Sequence, residues 1–412
     1  MDNNVNFKSF FLSLSELLDK GDKSISQHQL RTAYIAWKIG EKIDLSEIQL
    51  NNLLIAALVH DIGALSLEDK LNIYHSEAQD IFLHSYQGWY VLQKINGFSE
   101  IANAVKYHHT SYKELGDSEI LAQIINISDY IDRLVSNSQV FLMQKDFVIE
   151  AVTTNEDLHP KLKNIILTIA NPEKFWFDLS SENIISILFQ APICKKKLED
   201  DLIKNLAFLI KDIVDFKSPF TVSHSNAVMY CAYTLGEILN FGEHELNNLA
   251  LSALLHDVGK LTVPTAIIMK NGALTKLEKA IMMEHPYYTY KFLKNAGYSK
   301  NIYYPAASHH EGLDGKGYPF KFSAKNLNIS EKLLAVCDIF VALVEDRPYR
   351  KGMSLESVEK ILRDLCNSKL DKDYVELILK HKLELIQGIK DMEIMYKGEY
   401  EIFKNILKTY KN

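Results

Sequence analysis

His309 and His310 stand side by side in the run HHEGLDGKGYP, and His256-Asp257 closes the apolar run ALLHDVGK. Adjacent imidazoles can serve neighbouring cations. A carboxylate that directly follows a histidine can bridge two ions about 3.5–4 Å apart, and water held between such ions is acidified into a hydroxide able to attack phosphorus. His224, His285 and Asp338 complete a set of seven with these four. Asp338 lies in the run KLLAVCDIFVALV, where a lone carboxylate is costly unless paired, hydrogen-bonded or bound to metal. Imidazole and carboxylate without thiolate suit iron, manganese or zinc rather than copper(I) or an iron–sulfur cluster.

The same ligand types recur in the first half as His28, His60, Asp61, His84, His108, His109 and Asp129. The first histidine precedes the His-Asp pair by 32 residues in both halves, and the lone histidine precedes the His-His pair by 24 in both. The His-Asp to lone-histidine interval is 29 residues in the second half and 24 in the first. From the His-His pair to the aspartate it is 28 and 20, because the first copy has no counterpart of the GYP loop. Ten of the 14 histidines fall in these two sets, which marks an internal repeat rather than chance clustering.

These residues need helices to place them. Leu246, Leu249, Ala250, Ala253 and Leu254 follow the spacing of one buried helical face, as do Leu50, Leu53, Leu54, Ala57 and Leu58. Alternating apolar and polar runs are rare, and Gly (17) and Pro (9) are scarce. The fold class is therefore all-α, with two tandem helical domains over residues 1–190 and 198–412. A helical extension punctuated by Pro160, Pro172 and Pro192 joins them. Gly259 is placed to end the His256 helix and release Lys260 toward the ions.

The two signatures, HDVGK and HHEGLDGKGYP, resemble those of the HD-GYP cyclic dinucleotide phosphodiesterases. VDFKSPFTVSHS, EHPYYTYKFL and DIFVALVEDRPYRKGMS resemble further segments of that family, and the likeness spans about residues 215–370. It implies a helical HD domain and hydrolysis of cyclic di-GMP, the default substrate, to the linear dinucleotide and then, if that rebinds, to mononucleotide, by a hydroxide bridging two divalent ions, iron or manganese. The tandem arrangement with a degraded first copy is also compatible with cyclic GMP-AMP as the substrate. Carried onto this chain, His224, His256, Asp257, His285, His309, His310 and Asp338 are the ligands. Lys260 contacts the scissile phosphate or the hydroxide, Arg347 and Arg350 contact phosphate or base, and Tyr318 shapes the loop near substrate. Some family members hold a third ion through a carboxylate four residues before the first histidine. Phe220 stands there, which favours two ions, with Glu311 as a remote substitute ligand.

In the first copy Ala64 replaces the lysine, Thr110 replaces Glu311, and no Arg-Pro-Tyr-Arg run follows Asp129. It reads as a degenerate HD domain. Three roles stay open for it: a metal-loaded regulatory domain, a packing relic, or a phosphohydrolase of other specificity. For the whole chain, a non-hydrolysing cyclic dinucleotide sensor and a protein-contact scaffold are the alternatives to an enzyme.

A formal net charge of −7 argues against nucleic acid polymers as partners, since these need a basic face. Cys194, Cys231, Cys337 and Cys366 form no C-x-x-C pair, as suits a reduced, cytoplasmic protein. The start is polar, and no apolar window reaches the roughly 18 residues of a membrane span. The closing Lys-, Glu- and Tyr-rich helix can pack on either domain or on a partner chain, which leaves a homodimer open.

Overall fold

A computed structural model describes residues 3–20, 26–66, 71, 81–218, 222–346, 351–366 and 368–410. Helices carry the chain throughout. Among the described residues no strand forms, and the two isolated bridges pair Asn6 with Lys197 and Asp314 with Ser323. The all-α expectation holds. No described helix is long and apolar enough to cross a membrane.

Contacts gather the chain into two units. The first comprises Val5–Leu198 with Asn405–Asn412, and the second Met1–Asn4 with Glu199–Lys404.

In the first unit the helix His28–Gly40 packs against Glu47–Leu58 and Ile120–Leu134, while Phe82–Leu92 packs against Ser99–Tyr107. Glu47–Leu58 begins at a capping box. Ser46 Oγ accepts the Gln49 N–H at 3.2 Å, and the Ser46 N–H donates to Gln49 Oε1 at 3.1 Å, which satisfies two amides that have no partner within the helix. Of its predicted apolar stripe, Leu53, Leu54, Ala57 and Leu58 are inaccessible, while Leu50 in the first turn is half-buried. The helix Ile406–Tyr410 belongs to this unit, with the Tyr410 ring 5.1 Å from that of Trp89.

The second unit repeats the plan. His224–Ile238 packs on Glu243–Leu255 and Ile329–Val344, and Glu243–Leu255 on Lys300–Ala307. The 33-residue helix Lys372–Lys404 adds Val375, Ile378, Leu379, Leu385 and Ile389 to a core shared with Ala227, Cys231, Cys337, Phe340 and Val341. Cys231 and Cys337 are free thiols buried in that core and behave there as small hydrophobes. At the chain start, the Asn4 N–H donates to the Gly297 carbonyl at 2.8 Å and the Ser299 N–H to Asn3 Oδ1 at 2.8 Å.

Candidate metal centres

The ends of the helices set the second centre. His256 follows the last residue of Glu243–Leu255, His309 lies just past Lys300–Ala307, and His285 lies just past Lys276–Met283. The last carbonyls of a helix have no partner within it. Each of these histidines supplies one. His256 Nδ1–H donates to Ala253, His285 to Met282 and His309 to Ala306, each at 2.7 Å and three residues back. A carbonyl can only accept, so Nδ1 carries the proton and Nε2 presents its lone pair. That is the tautomer a ligand needs, fixed by a hydrogen bond outside the coordination sphere.

Those lone pairs converge on Asp257. Its Oδ2 lies 3.2 Å from His256 Nε2 and 4.0 Å from His224 Nε2, and its Oδ1 lies 3.4 Å from His285 Nε2 and 3.9 Å from His309 Nε2. Asp338 Oδ1 joins the first side, 3.3 Å from His224 Nε2 and 3.9 Å from His256 Nε2. Two triads result, His224 with His256 and Asp338, and His285 with His309 and His310. Within each, the ligand atoms lie within 4.8 Å of one another. One carboxylate turns an oxygen to each, which is the arrangement of a pair of cations sharing a bridge.

The electrostatics suit cations. Burial holds His285 down at about 3 and His309 at about 4, so both are neutral at ordinary pH. Burial opposes ionisation of Asp257, but His256 and Lys260 beside it hold its carboxyl well below the usual range. Asp257 Oδ1 is buried and has no hydrogen-bond partner among the described residues. The donor set thus fits divalent cations.

Lys260 lies in the 3₁₀ turn Val258–Thr262, its Nζ 2.5 Å from Asp257 Oδ2. Gly259 has a different reason from the one its place in the sequence suggests. The helix already ends at Leu255, before the histidine. A Cβ on Gly259 would lie 1.9 Å from the His285 carbonyl oxygen and 2.9 Å from the Thr289 nitrogen. Glycine is required for close approach of two backbones, and the Gly259 N–H donates to Thr289 Oγ1 at 3.0 Å.

The GYP loop closes against the His-His pair. The Tyr318 ring lies 4.9 Å from that of His310, and the Tyr318-Pro319 bond is cis. A Cβ on Gly317 would lie 2.4 Å from Glu311 Cα. Glu311 is buried and accepts the Phe320 N–H at 2.6 Å. It holds the loop's far end and is not grouped with the ligands among the described residues. Arg347, Arg350 and Phe220 lie outside the described residues.

The first domain builds the same figure. Asp61 Oδ2 faces His28 and His60 at 3.4 and 3.6 Å, and its Oδ1 faces His84 and His108 at 3.2 and 3.8 Å. Asp129 Oδ1 lies 3.5 Å from His28 Nε2, and His109 Nε2 lies 3.2 Å from His84 Nε2. His60 and His108 donate Nδ1–H to Ala57 and Val105 at 2.9 and 2.6 Å. Asp61 Oδ1 is buried without a hydrogen-bond partner, like its counterpart. Burial holds His108 down at about 3. The cation differs: Ala64 stands where Lys260 stands, and Arg133 instead lies 3.0 Å from Asp129 Oδ2.

Four residues escaped the sequence reading. Asp132 Oδ2 accepts His28 Nδ1–H at 2.7 Å, and Glu345 Oε2 accepts His224 Nδ1–H at 2.9 Å. Asp19 accepts the Gln29 N–H at 3.0 Å, while Asp215 accepts the Ser225 hydroxyl at 2.8 Å. Burial pushes the Asp215 carboxyl up to about 7. The signal for this last pair was present, since each aspartate precedes its domain's first histidine by nine residues.

Two sequence models described as HD domain match, over residues 25–134 and 209–374. The chain is a tandem HD-domain protein. The relatives it resembles include 3'3'-cGAMP-specific phosphodiesterase 1 of Vibrio cholerae, 26% identical over 93% of this chain and 94% of that protein. Phosphodiesterase 3 of the same specificity and organism is 24% identical over 90% and 93%. Cyclic di-GMP phosphodiesterase PA4108 of Pseudomonas aeruginosa is 34% identical over 32% of each. The crystal structure of the V. cholerae cyclic GMP-AMP-specific phosphodiesterase V-cGAP3 matches with a TM-score of 0.62, covering 93% of this chain and 97% of its own at 20% identity, which establishes the tandem fold. The second HD domain is of the HD-GYP type, and the first is a degenerate copy.

Because the colliding atoms are backbone, Gly259→Ala forces the HD segment away from His285. The expected loss is about 1–3 kcal/mol of stability, read as a lower urea midpoint, together with weaker Mn²⁺ binding. Gly63→Ala does the same in the first domain, where the new Cβ would lie 2.0 Å from the His84 carbonyl oxygen.

Proposed function

We propose that this protein hydrolyses a cyclic dinucleotide at the second centre, giving the linear dinucleotide. The observation that carries the reading is the bridging posture of Asp257, one oxygen toward each of two triads, with Lys260 on the same carboxylate. When bound, a pair of divalent ions supplies Lewis-acid charge and an acidified water to such a site. His224, His256 and Asp338 would hold one ion, His285, His309 and His310 the other, and Asp257 both. Iron and manganese suit this donor set.

The chain's own groups do the rest. Lys260 is partly exposed at 19% while Asp257 beside it is buried, so its ammonium stands at the rim, where a phosphoryl oxygen can meet it. There it stabilises negative charge that grows in the transition state. Tyr318, half-buried over His310, lines the approach from the GYP loop. Arg347 and Arg350 serve as phosphate or base contacts in this reading. The first centre keeps the ligands without the lysine or the loop, which supports cation binding there over turnover.

Cyclic di-GMP and 3'3'-cGAMP are the two candidate substrates. The relatives that align along more than nine-tenths of their length are cGAMP-specific, whereas the cyclic di-GMP enzymes align over about half of theirs or less. That favours 3'3'-cGAMP for the tandem arrangement.

Incubation of the purified chain with each cyclic dinucleotide and Mn²⁺ or Fe²⁺ tests this directly. Linear product is expected, and its absence from both substrates overturns the proposal. EDTA should abolish turnover and Mn²⁺ restore it.

Asp257→Ala should abolish turnover and empty the second centre, whereas Asp61→Ala should retain most turnover. Metal analysis of anaerobically purified wild type and both variants checks the assignment. Lys260→Met should lower kcat by about 10²–10³-fold, the usual effect of removing one charge-stabilising donor, with much less change in Mn²⁺ content.

A further inference from the structure

His224 and His28 open helices, as His285 does, but unlike His285 they donate Nδ1–H to a side chain instead of to a backbone carbonyl. Their Nδ1 protons go to a side chain, and both domains use a carboxylate, but from different places. In the first domain it is Asp132, three residues after Asp129. In the second it is Glu345, seven residues after Asp338. The two positions are one helical turn apart and share a helix face.

The exchange extends to the neighbours. Asp132 is paired with Arg31, whose Nη2 lies 3.1 Å from its Oδ2 and whose Nε also donates to it. The residues of the second domain at those positions in the repeat are Ala227 and Val341, both fully buried in the apolar core. The position of Glu345 is Ser136 in the first domain. A buried Arg–Asp pair in one copy is thus an apolar pair in the other, and the carboxylate has moved to the helix end.

The chain fixes Glu345 there. It caps Ile329–Val344, its N–H donating to the Val341 carbonyl at 3.0 Å. The returning strand of chain locks that end: the Met353 N–H donates to the Leu343 carbonyl at 3.0 Å and the Gly352 N–H to Asp346 Oδ1 at 2.8 Å. Gly352 permits the approach, since a Cβ there would lie 2.1 Å from the Val344 carbonyl oxygen.

We propose that Glu345 is the positioning residue of the second centre, holding His224 with its Nε2 lone pair toward the Asp338 side. Asp132 with Arg31 performs the same task in the first domain by a separate solution. The inference rests on the metal reading of the second centre.

The test is Mn²⁺ binding by the full chain in equilibrium dialysis, for wild type, Glu345→Gln and Glu345→Leu. Glutamine keeps an oxygen that accepts the Nδ1 proton, and leucine keeps none. The leucine variant should bind Mn²⁺ about 10–100-fold more weakly at one second-centre site, the usual cost of losing such a partner. The glutamine variant should fall between it and wild type, and the thermal midpoint of the metal-free chain should move little. Leucine affinity within about twofold of wild type overturns the proposal.

A second measurement needs no leucine variant. Nitrogen-15 spectra of His224 in metal-free wild type should show the proton on Nδ1, and a proton on Nε2 alone overturns the inference. If wild type bound no Mn²⁺ at all, the metal reading would fall, and the His224 tautomer would still decide the role of Glu345.

Discussion

The loose carbonyl at the end of a helix is the constraint on which both centres depend. It has no partner of its own, and a histidine placed three residues on can satisfy it through Nδ1–H. That one bond completes the helix and leaves Nε2 as an unprotonated donor. His256, His285 and His309 all do this in the second domain, and His60 and His108 in the first. Folding energy and ligand geometry therefore come from the same contacts. Metal sites in which the outer hydrogen bond fixes the inner ligand are stiffer than sites on free side chains.

Asp257 and Asp61 follow directly after such a histidine, on the turn that leaves the helix. Their position lets each carboxylate look both ways, toward the histidines of its own side and toward the lone histidine and the His-His pair. The close approach that aligns the two sides is backbone to backbone, Gly259 against His285 and Gly63 against His84. The glycine of the HD-x-G signature thus sets the distance between the two halves of the ligand set.

Much of this was legible in the sequence. Equal intervals of 32 and 24 residues placed ten histidines in two matching figures, and the figures are there. Apolar periodicity identified the helices that carry them. What stayed hidden is of two kinds. Glu345 and Asp132 stand at unlike offsets, so no repeat pointed to them. Their role is to accept the Nδ1 protons of His224 and His28, which are given to no backbone carbonyl among the described residues. Gly259 was visible, but its reason was a tertiary approach from residue 285, and local sequence suggested a helix stop. The role of Glu311, beside two ligands, was not legible. The residue proved to be the anchor of the loop, because the chain turns back and presents Phe320 N–H to it.

This construction also accounts for the unequal decay of the two copies. Three histidines of the second centre and two of the first are held by a helix-end carbonyl, and those bonds do not depend on the loops around the centre. The GYP loop leans on His310 and Glu311, but His309 does not lean on the loop. A copy can lose the loop, Lys260 and Glu311 and still hold its histidines in register, as the first domain does with Ala64 and Thr110. The groups lost are the ones that would touch substrate, while those that hold the ligands remain. Removal of the first centre carries a cost: deleting His60 or His108 would leave a buried carbonyl without its donor, a penalty of about 1–3 kcal/mol each, whereas the substrate groups could be lost from the rim at little cost to the fold.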